Sequence, residues 1–213
     1  MSKGRWIVMW VGALSLSLAL SGEAGAEGDA AELFQRSYDT EAEGKTQEAL
    51  AAMERLPSPQ RDQYVALYRR GWLLYKLGRN AESIDAYTKA SLAEPRAVES
   101  RVAVLLPQMA LRRWGDVEVW AKDALRVDPQ SYLASLRLAF ALYNLGRYAE
   151  SAPIYQRLAD AYPSDVEVRS GLGWALFKLG KLGDAAKAFR QVVDVAPKHA
   201  LAREGLKACG VTH

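Results

Sequence analysis

LYNLGRYAESAPIYQRL occupies residues 142–158, and the chain carries nearly the same string at two other places. LYKLGRNAESIDAYTKA covers residues 74–90, and LFKLGKLGDAAKAFRQV covers residues 176–192. The three strings start at residues 74, 142 and 176, so their separations are multiples of 34. A fixed interval of this length predicts a repeat architecture, in which each copy is one supersecondary unit.

Glycines and prolines keep the same interval of 34 residues. The prolines are Pro95, Pro129, Pro163 and Pro197. The glycines, with one gap filled by Arg112, are Gly44, Gly78, Gly146 and Gly180. Glycine can close a helix in the left-handed conformation, and proline cannot continue one. Each unit is therefore expected to be a helix A, a turn at the glycine, a helix B and a turn at the proline.

The apolar residues of the copies have helical spacing. Ala185, Ala188, Phe189 and Val192 recur at intervals of three and four, which places them on one face of a helix. A helical hairpin with such a face cannot bury it alone, so stacking of neighbouring units is expected to form the core.

The pattern resembles the tetratricopeptide repeat, a 34-residue helix–turn–helix with the signature W-x2-L-G-x2-Y, then A, F/Y, A and P. In unit 166–199 the matching residues are Leu172, Gly173, Leu176, Gly180, Ala185, Phe189 and Pro197. Units 64–97 and 132–165 match similarly, unit 98–131 matches less well, and unit 30–63 has Arg61 in place of the proline. The resemblance implies an all-α, right-handed α-solenoid of about five units, with residues 200–213 as a capping helix and tail.

Two prolines fall inside predicted helices. Pro107 lies in helix A of unit 98–131 and is expected to bend it, because proline removes one internal hydrogen bond. Pro153 lies early in a helix B, where the disturbance is expected to be smaller.

The first 26 residues have the features of an export signal. Lys3 and Arg5 precede the apolar run Trp6–Leu20, and Ala24-Gly25-Ala26 forms an A-x-A cleavage site. The run is short for a membrane-spanning helix, which needs about 20 apolar residues. We therefore predict cleavage after Ala26 and a periplasmic protein. The alternative is an uncleaved membrane anchor.

The sequence offers few residues for catalysis or metal binding. Its histidines, His199 and His213, lack metal-ligand spacing, and its one cysteine, Cys209, has no partner for an internal disulfide. No nucleophile motif or phosphate-binding loop is present. A formal net charge of +3 does not favour nucleic acid. We expect no enzyme activity, no cofactor and no metal.

In the family that the chain resembles, helix A lines a concave groove with its second, fifth, ninth and twelfth residues. Carried over, this pattern predicts a groove rich in aromatic residues: Phe34, Tyr38, Tyr68, Trp72, Tyr75, Leu106, Met109, Leu136, Phe140, Tyr143, Trp174 and Phe177. The ninth residues form an apolar stripe where the family usually has polar residues. The family's chaperone-tail binders carry Lys, Arg and Asn in the groove, and this chain lacks them.

An exposed apolar stripe is typical of an interaction site. We predict a non-catalytic scaffold of the cell envelope that binds an apolar or amphipathic segment of a partner protein. Three alternatives stay open: a glycan ligand stacked on the aromatic rings, a homo-oligomer that buries the groove, and internal packing of the stripe, including a groove filled by the chain's own N-terminal segment.

Overall fold

The computed structural model describes residues 17–211, with side chains from residue 29 onward. In this part of the chain the secondary structure is helical, without a β-strand, and the predicted all-α solenoid is confirmed. The chain divides after Asp62 into two compact units. Residues 1–16 of the predicted leader, and His213, lie outside the described residues.

The first unit contains α1 (Ser17–Ala42), α2 (Thr46–Glu54) and a short 3-10 helix (Gln60–Asp62). The second contains α3 (Tyr64–Lys76), α4 (Asn80–Ala93), α5 (Val98–Ala103), α6 (Leu105–Ala110), α7 (Trp114–Val127), α8 (Tyr132–Asn144), α9 (Tyr148–Ala161), α10 (Val166–Lys178), α11 (Leu182–Val195) and α12 (Ala200–Ala208). Helices α4, α7, α9 and α11 each end two residues before one of the periodic prolines, as predicted.

In the first unit, α1 packs along α2. Leu50 and Met53 of α2 are fully buried. Helix α1 starts at Ser17, upstream of the expected first repeat at Ala30, and runs through the predicted cleavage site at Ala24–Ala26. No described helix is both long and apolar enough to cross a membrane.

The turns after helix A have one geometry throughout the second unit. At Gly78, with φ +73°, the glycine N–H donates to Tyr75 O and the Arg79 N–H donates to Leu74 O, both at 2.9 Å. These two hydrogen bonds satisfy backbone carbonyls that would otherwise have no partner at the end of the helix. The role predicted for the periodic glycines is confirmed, since Gly146 and Gly180 also have positive φ.

Arg112 makes the same turn without a glycine. Its φ is +54°, its N–H donates to Met109 O at 2.9 Å, and the Arg113 N–H donates to Gln108 O at 3.0 Å. The gap in the glycine pattern therefore did not change the local fold. The tertiary structure holds an L-residue in a conformation that costs about 1–2 kcal/mol.

At Pro107 the predicted disturbance takes the form of an interruption of helix A. Helix A of that unit is divided, with α5 ending at Ala103 and α6 beginning at Leu105. Pro107 has no N–H, and its ring crowds the carbonyl four residues back, at Ala103. Pro153, by contrast, lies inside a continuous α9.

The helices approach closely where an aromatic ring packs against a glycine. A Cβ added at Gly173 would lie 2.5 Å from the Phe189 ring, and one at Gly71 would lie 2.7 Å from Tyr87. Gly205 of α12 packs against Phe189 from the other side. The ring is thus held between two helices, and the absence of Cβ atoms sets their spacing.

Candidate functional site

The second unit contains an open groove with a volume of about 490 Å³, which we call the central groove. Five of the side chains predicted from the repeat register line it together: Met109, Leu136, Phe140, Tyr143 and Trp174. The rest of its lining consists of Arg137, Tyr155, Glu167, Ser170, Gly171, Leu201 and Glu204. The groove is therefore mostly apolar, with three charged side chains.

Helix periodicity explains why these residues meet. Leu136, Phe140 and Tyr143 of α8 are four and three residues apart, so they share one face. Gly171 and Trp174 of α10 are separated by three and share a face in the same way. Met109 reaches the groove from α6, beyond the break in its helix.

Phe140 is the most available aromatic residue of the central groove. Its side chain is 39% exposed, and Trp114 meets the ring edge-on with 5.6 Å between ring centroids. Trp174 is more enclosed, since its ring packs edge-on against Phe177 at 5.7 Å and Phe189 at 5.3 Å. Trp174 therefore serves both the groove and the core, whereas Phe140 offers an apolar face to a ligand.

The other predicted groove residues lie elsewhere. Tyr68 and Trp72 pack against the buried cluster around Tyr87. Phe177 packs against the cluster formed by α11 and α12. Tyr75 and Leu106 are half-buried and do not line the central groove.

Phe34 and Tyr38 lie on α1, in the first unit. Tyr38 is 51% exposed and Phe34 is half-buried. The twelve-residue groove set as a whole stays a prediction.

Arg137 is a groove residue that the sequence did not indicate, because it occupies the sixth place of its unit and the inner positions of the pattern omit that place. Its Nη1 donates to Val102 O at 2.6 Å, at the break between α5 and α6. Burial lowers the pKa of this guanidinium, and the nearby Tyr75, Tyr68 and Tyr87 act in the opposite direction. Arg137 thus supports a disrupted helix and also supplies the cation of the central groove.

The part of the central groove formed by α10 and α12 is acidic. Glu167 of α10 and Glu204 of α12 both line it. Glu167 Oε1 lies 3.2 Å from His199 Nε2, and the Ala202 N–H donates to His199 Nδ1 at 3.2 Å. Because Nδ1 accepts a hydrogen bond, the neutral ring carries its hydrogen on Nε2 and donates it to Glu167. The side chain of Glu204 makes no hydrogen bond or ion pair within residues 29–211.

Glu167 and Ser170 are the second and fifth residues of unit 166–199, so the inner-position pattern of the family includes both. Leu201 and Glu204 come from the C-terminal helix, for which the repeat pattern gives no inner positions. Ser170, between Glu167 and Trp174 on α10, is buried, and its Oγ has no hydrogen-bond partner.

A second depression of about 850 Å³ lies over α9, α10 and α11. Ala152, Pro153 and Leu172 contribute apolar surface there, and Asp160 and Lys187 contribute charges of both signs. It has none of the predicted groove residues.

The described residues contain no group of three or more His, Cys, Asp or Glu side chains arranged to hold a metal ion.

Comparison with known proteins gives two kinds of match. One tetratricopeptide repeat family model matches residues 39–97 and 118–166, and another matches residues 145–209. No curated protein matches the chain.

Several solved structures share the fold. MamA (41-end) from Desulfovibrio magneticus RS-1 is 16% identical, with a TM-score of 0.74, over 81% of this chain and 97% of that chain. YrrB, described as a TPR protein with an unusual peptide-binding site, is 16% identical, with a TM-score of 0.75, over 92% of this chain and all of that chain. A tetratricopeptide repeat protein from Parabacteroides merdae is 21% identical, with a TM-score of 0.65, over 92% and 90%. At these identities the likeness shows the fold alone.

Proposed function

Because this chain belongs to the tetratricopeptide repeat family, we propose that it is a non-catalytic scaffold of the cell envelope that binds an apolar or amphipathic partner segment in the central groove. Repeat proteins of this kind present concave surfaces to their partners. An amphipathic helix would place side chains at i, i+3, i+4 and i+7 in such a groove.

The observation that carries the proposal is the convergence of five predicted side chains on one open cavity. Phe140, which lines this cavity, is 39% exposed, although phenylalanine is a residue that folding normally buries. Exposed aromatic residues are typical anchors for a partner, because they bring a large apolar area and little conformational entropy. A peptide is also the ligand class named in the description of YrrB.

The envelope location rests on residues 1–26, with their basic start, apolar run and A-x-A site. Cell fractionation combined with mass spectrometry of the N-terminus tests it. We expect a periplasmic protein that begins at Glu27. An intact N-terminus in the membrane fraction would instead establish the anchored form. The division into this leader, five units and a capping helix stays a prediction.

Site-specific photocrosslinking tests the groove directly. A photoreactive phenylalanine analogue replaces Phe140 in the full chain, and the matched control carries it at Leu92, which is 74% exposed on α4. We expect crosslinks to a partner polypeptide from position 140 and none from position 92, with the crosslinked segment apolar or amphipathic. Crosslinks from position 92 alone, or from neither position, would contradict the proposal.

The same experiment separates the alternatives. Crosslinks from position 140 to a second copy of the chain would replace the scaffold with a structural homo-oligomer. Crosslinks to a polysaccharide would replace the protein partner with a glycan.

A further inference from the structure

We infer that the segment bound in the central groove carries a basic side chain at the end that lies over α10 and α12, where it pairs with Glu204. This inference rests on the proposed function, because it specifies the chemistry of the same ligand.

The apolar part of the ligand follows from the centre of the groove. Leu136, Phe140 and the ring of Trp174 offer apolar surface to a ligand. A segment with leucine, phenylalanine or methionine side chains at helical spacing fits this surface. Such side chains supply affinity, but they do not set the direction in which the segment lies.

The acidic edge supplies a direction. Glu204 lines the central groove, and its carboxylate has no hydrogen-bond or ion-pair partner among the described residues. The Glu167 side chain is 70% exposed, and the only described partner of its carboxylate is His199. The buried Ser170 hydroxyl, one turn along α10 from Glu167, also has no partner. This edge therefore has unused capacity for a cationic donor such as a lysine or arginine side chain.

The part of the groove formed by α8 disfavours the same group. Arg137 lines the groove from α8, and its guanidinium is held near the break between α5 and α6 by the hydrogen bond to Val102 O. No ion pair to a described carboxylate neutralises Arg137. A basic side chain of the ligand would meet a like charge here, and it would meet an opposite charge at Glu204. The two edges thus select one orientation.

The ion pair between the ligand and Glu204 is expected to contribute little to affinity, because Glu204 is exposed to solvent. Exposed ion pairs change an equilibrium constant by about 1.5-fold to 5-fold, and salt screens them. The apolar contacts supply most of the affinity. The basic side chain is expected to add a modest, salt-dependent preference.

Synthetic amphipathic peptides test the inference on the purified full chain. One fluorescent peptide has leucine and phenylalanine at i, i+3, i+4 and i+7 and one terminal lysine. A second has norleucine in place of the lysine, and a third has lysine at both ends. Fluorescence anisotropy at low and at high salt gives their dissociation constants.

We expect the one-lysine peptide to bind about 3-fold more tightly than the norleucine peptide at low salt, and equally at high salt. The second lysine adds no affinity, because it faces Arg137. Glu204→Gln weakens the lysine preference, and Glu167 at the same edge retains part of it. Glu204→Lys transfers the preference to a peptide with glutamate in place of lysine. Glu94→Gln makes the same change in net charge at an exposed site outside the groove and leaves the preference intact.

The outcomes separate this inference from the proposed function. If all peptides bound equally well, and if Phe140→Ala abolished this binding but Glu204→Gln did not change it, the groove would remain the binding site. The proposed basic end of the ligand would then be overturned. If Glu94→Gln changed the lysine preference as much as Glu204→Gln does, the preference would arise from net charge. That result would also overturn the inference. Absence of binding by every peptide would count against the groove as a site for apolar segments.

Discussion

At Arg112 an arginine adopts the left-handed backbone conformation that glycine adopts at the other turns after helix A in the second unit. Glycine has no Cβ and enters this region at little cost, whereas an L-residue pays for it. The turn hydrogen bonds are nevertheless complete at Arg112. The cost is therefore offset by the packing of the helices on either side.

Arg112→Gly is expected to raise the free energy of unfolding by about 1 kcal/mol, because it removes the strain at positive φ. Part of the gain is lost, since glycine gives the unfolded chain more conformational entropy. Urea denaturation measures the change. Arg112→Ala is the matched control, since it removes the same side chain and keeps the Cβ. An equal gain from the alanine variant would show that the side chain, and not the backbone, is responsible.

At the glycines that pack against aromatic rings, addition of a Cβ is expected to destabilise the protein. Gly173→Ala would place a Cβ 2.5 Å from the Phe189 ring, and we expect a loss of about 1–3 kcal/mol from overpacking. Gly183→Ala is the control, because no atom lies within 4 Å of its added Cβ and alanine favours the helix. Thermal denaturation should show a lower midpoint for the first variant alone. A native-like midpoint for Gly173→Ala would contradict the close approach of α10 and α11.

At the scale of the element, the break between α5 and α6 depends on a residue from another helix. Arg137 of α8 donates to the Val102 carbonyl at the point where Pro107 interrupts helix A. An intact helix would offer the Leu106 N–H to that carbonyl. Arg137 therefore replaces a hydrogen bond that the interrupted helix cannot provide.

Arg137→Met is expected to lower the free energy of unfolding by about 1–2 kcal/mol, since methionine keeps the apolar volume and loses the charged donor. Arg157→Met, on an exposed position of α9, should change it by less than about 0.5 kcal/mol. A double-mutant cycle with Pro107→Ala provides the decisive comparison. The cost of losing Arg137 should fall when the helix is made continuous. An unchanged cost would mean that Arg137 does not act through the break.

Helix α12 begins at an unusual N-cap. The His199 Nδ1 accepts the Ala202 N–H, which is the role that Asn, Asp or Ser normally has. His199→Ala should destabilise α12 by about 1 kcal/mol, whereas His199→Asn should keep the cap. Amide hydrogen exchange in α12 measures the difference. Equal exchange in the two variants would exclude capping as the function of this side chain.

At the scale of the whole molecule, buried tyrosines link stability to alkaline pH. Burial raises the pKa of Tyr155 and of Tyr87, and burial together with the hydrogen bond to Asp165 raises the pKa of Tyr132 to about 12. The neutral phenol is thus favoured in the folded state. The contribution of these tyrosines to the free energy of unfolding is complete below the pKa of tyrosine in the unfolded state, which is about 10. Above that value the unfolded state binds fewer protons, so stability falls as pH rises.

We expect the urea midpoint to be flat up to about pH 9 and to fall between about pH 10 and pH 12. Tyr155→Phe should reduce this fall, because it removes one buried group that must ionise. Tyr162→Phe, which changes a side chain that is 43% exposed, serves as the control. The same dependence in both variants would show that ionisation of Tyr155 does not drive the loss.

The amino-acid sequence alone determined the helical hairpins and the places where they end. These features depend on residues close together in the chain: a glycine that permits a left-handed turn, a proline that stops a helix, and apolar residues three and four apart. The resemblance to the tetratricopeptide repeat, which implies the inner positions of helix A, also indicated Met109, Leu136, Phe140, Tyr143 and Trp174 as residues of one groove.

Only the tertiary structure decided how that groove is used. It packs Trp174 against Phe189 but leaves Phe140 exposed, and it places Arg137 and Glu204 on the lining of the same groove. The physical reason is distance along the chain. Helix periodicity reports on neighbours within a few turns, whereas the charges of the groove come from helices tens of residues apart, which only packing brings together.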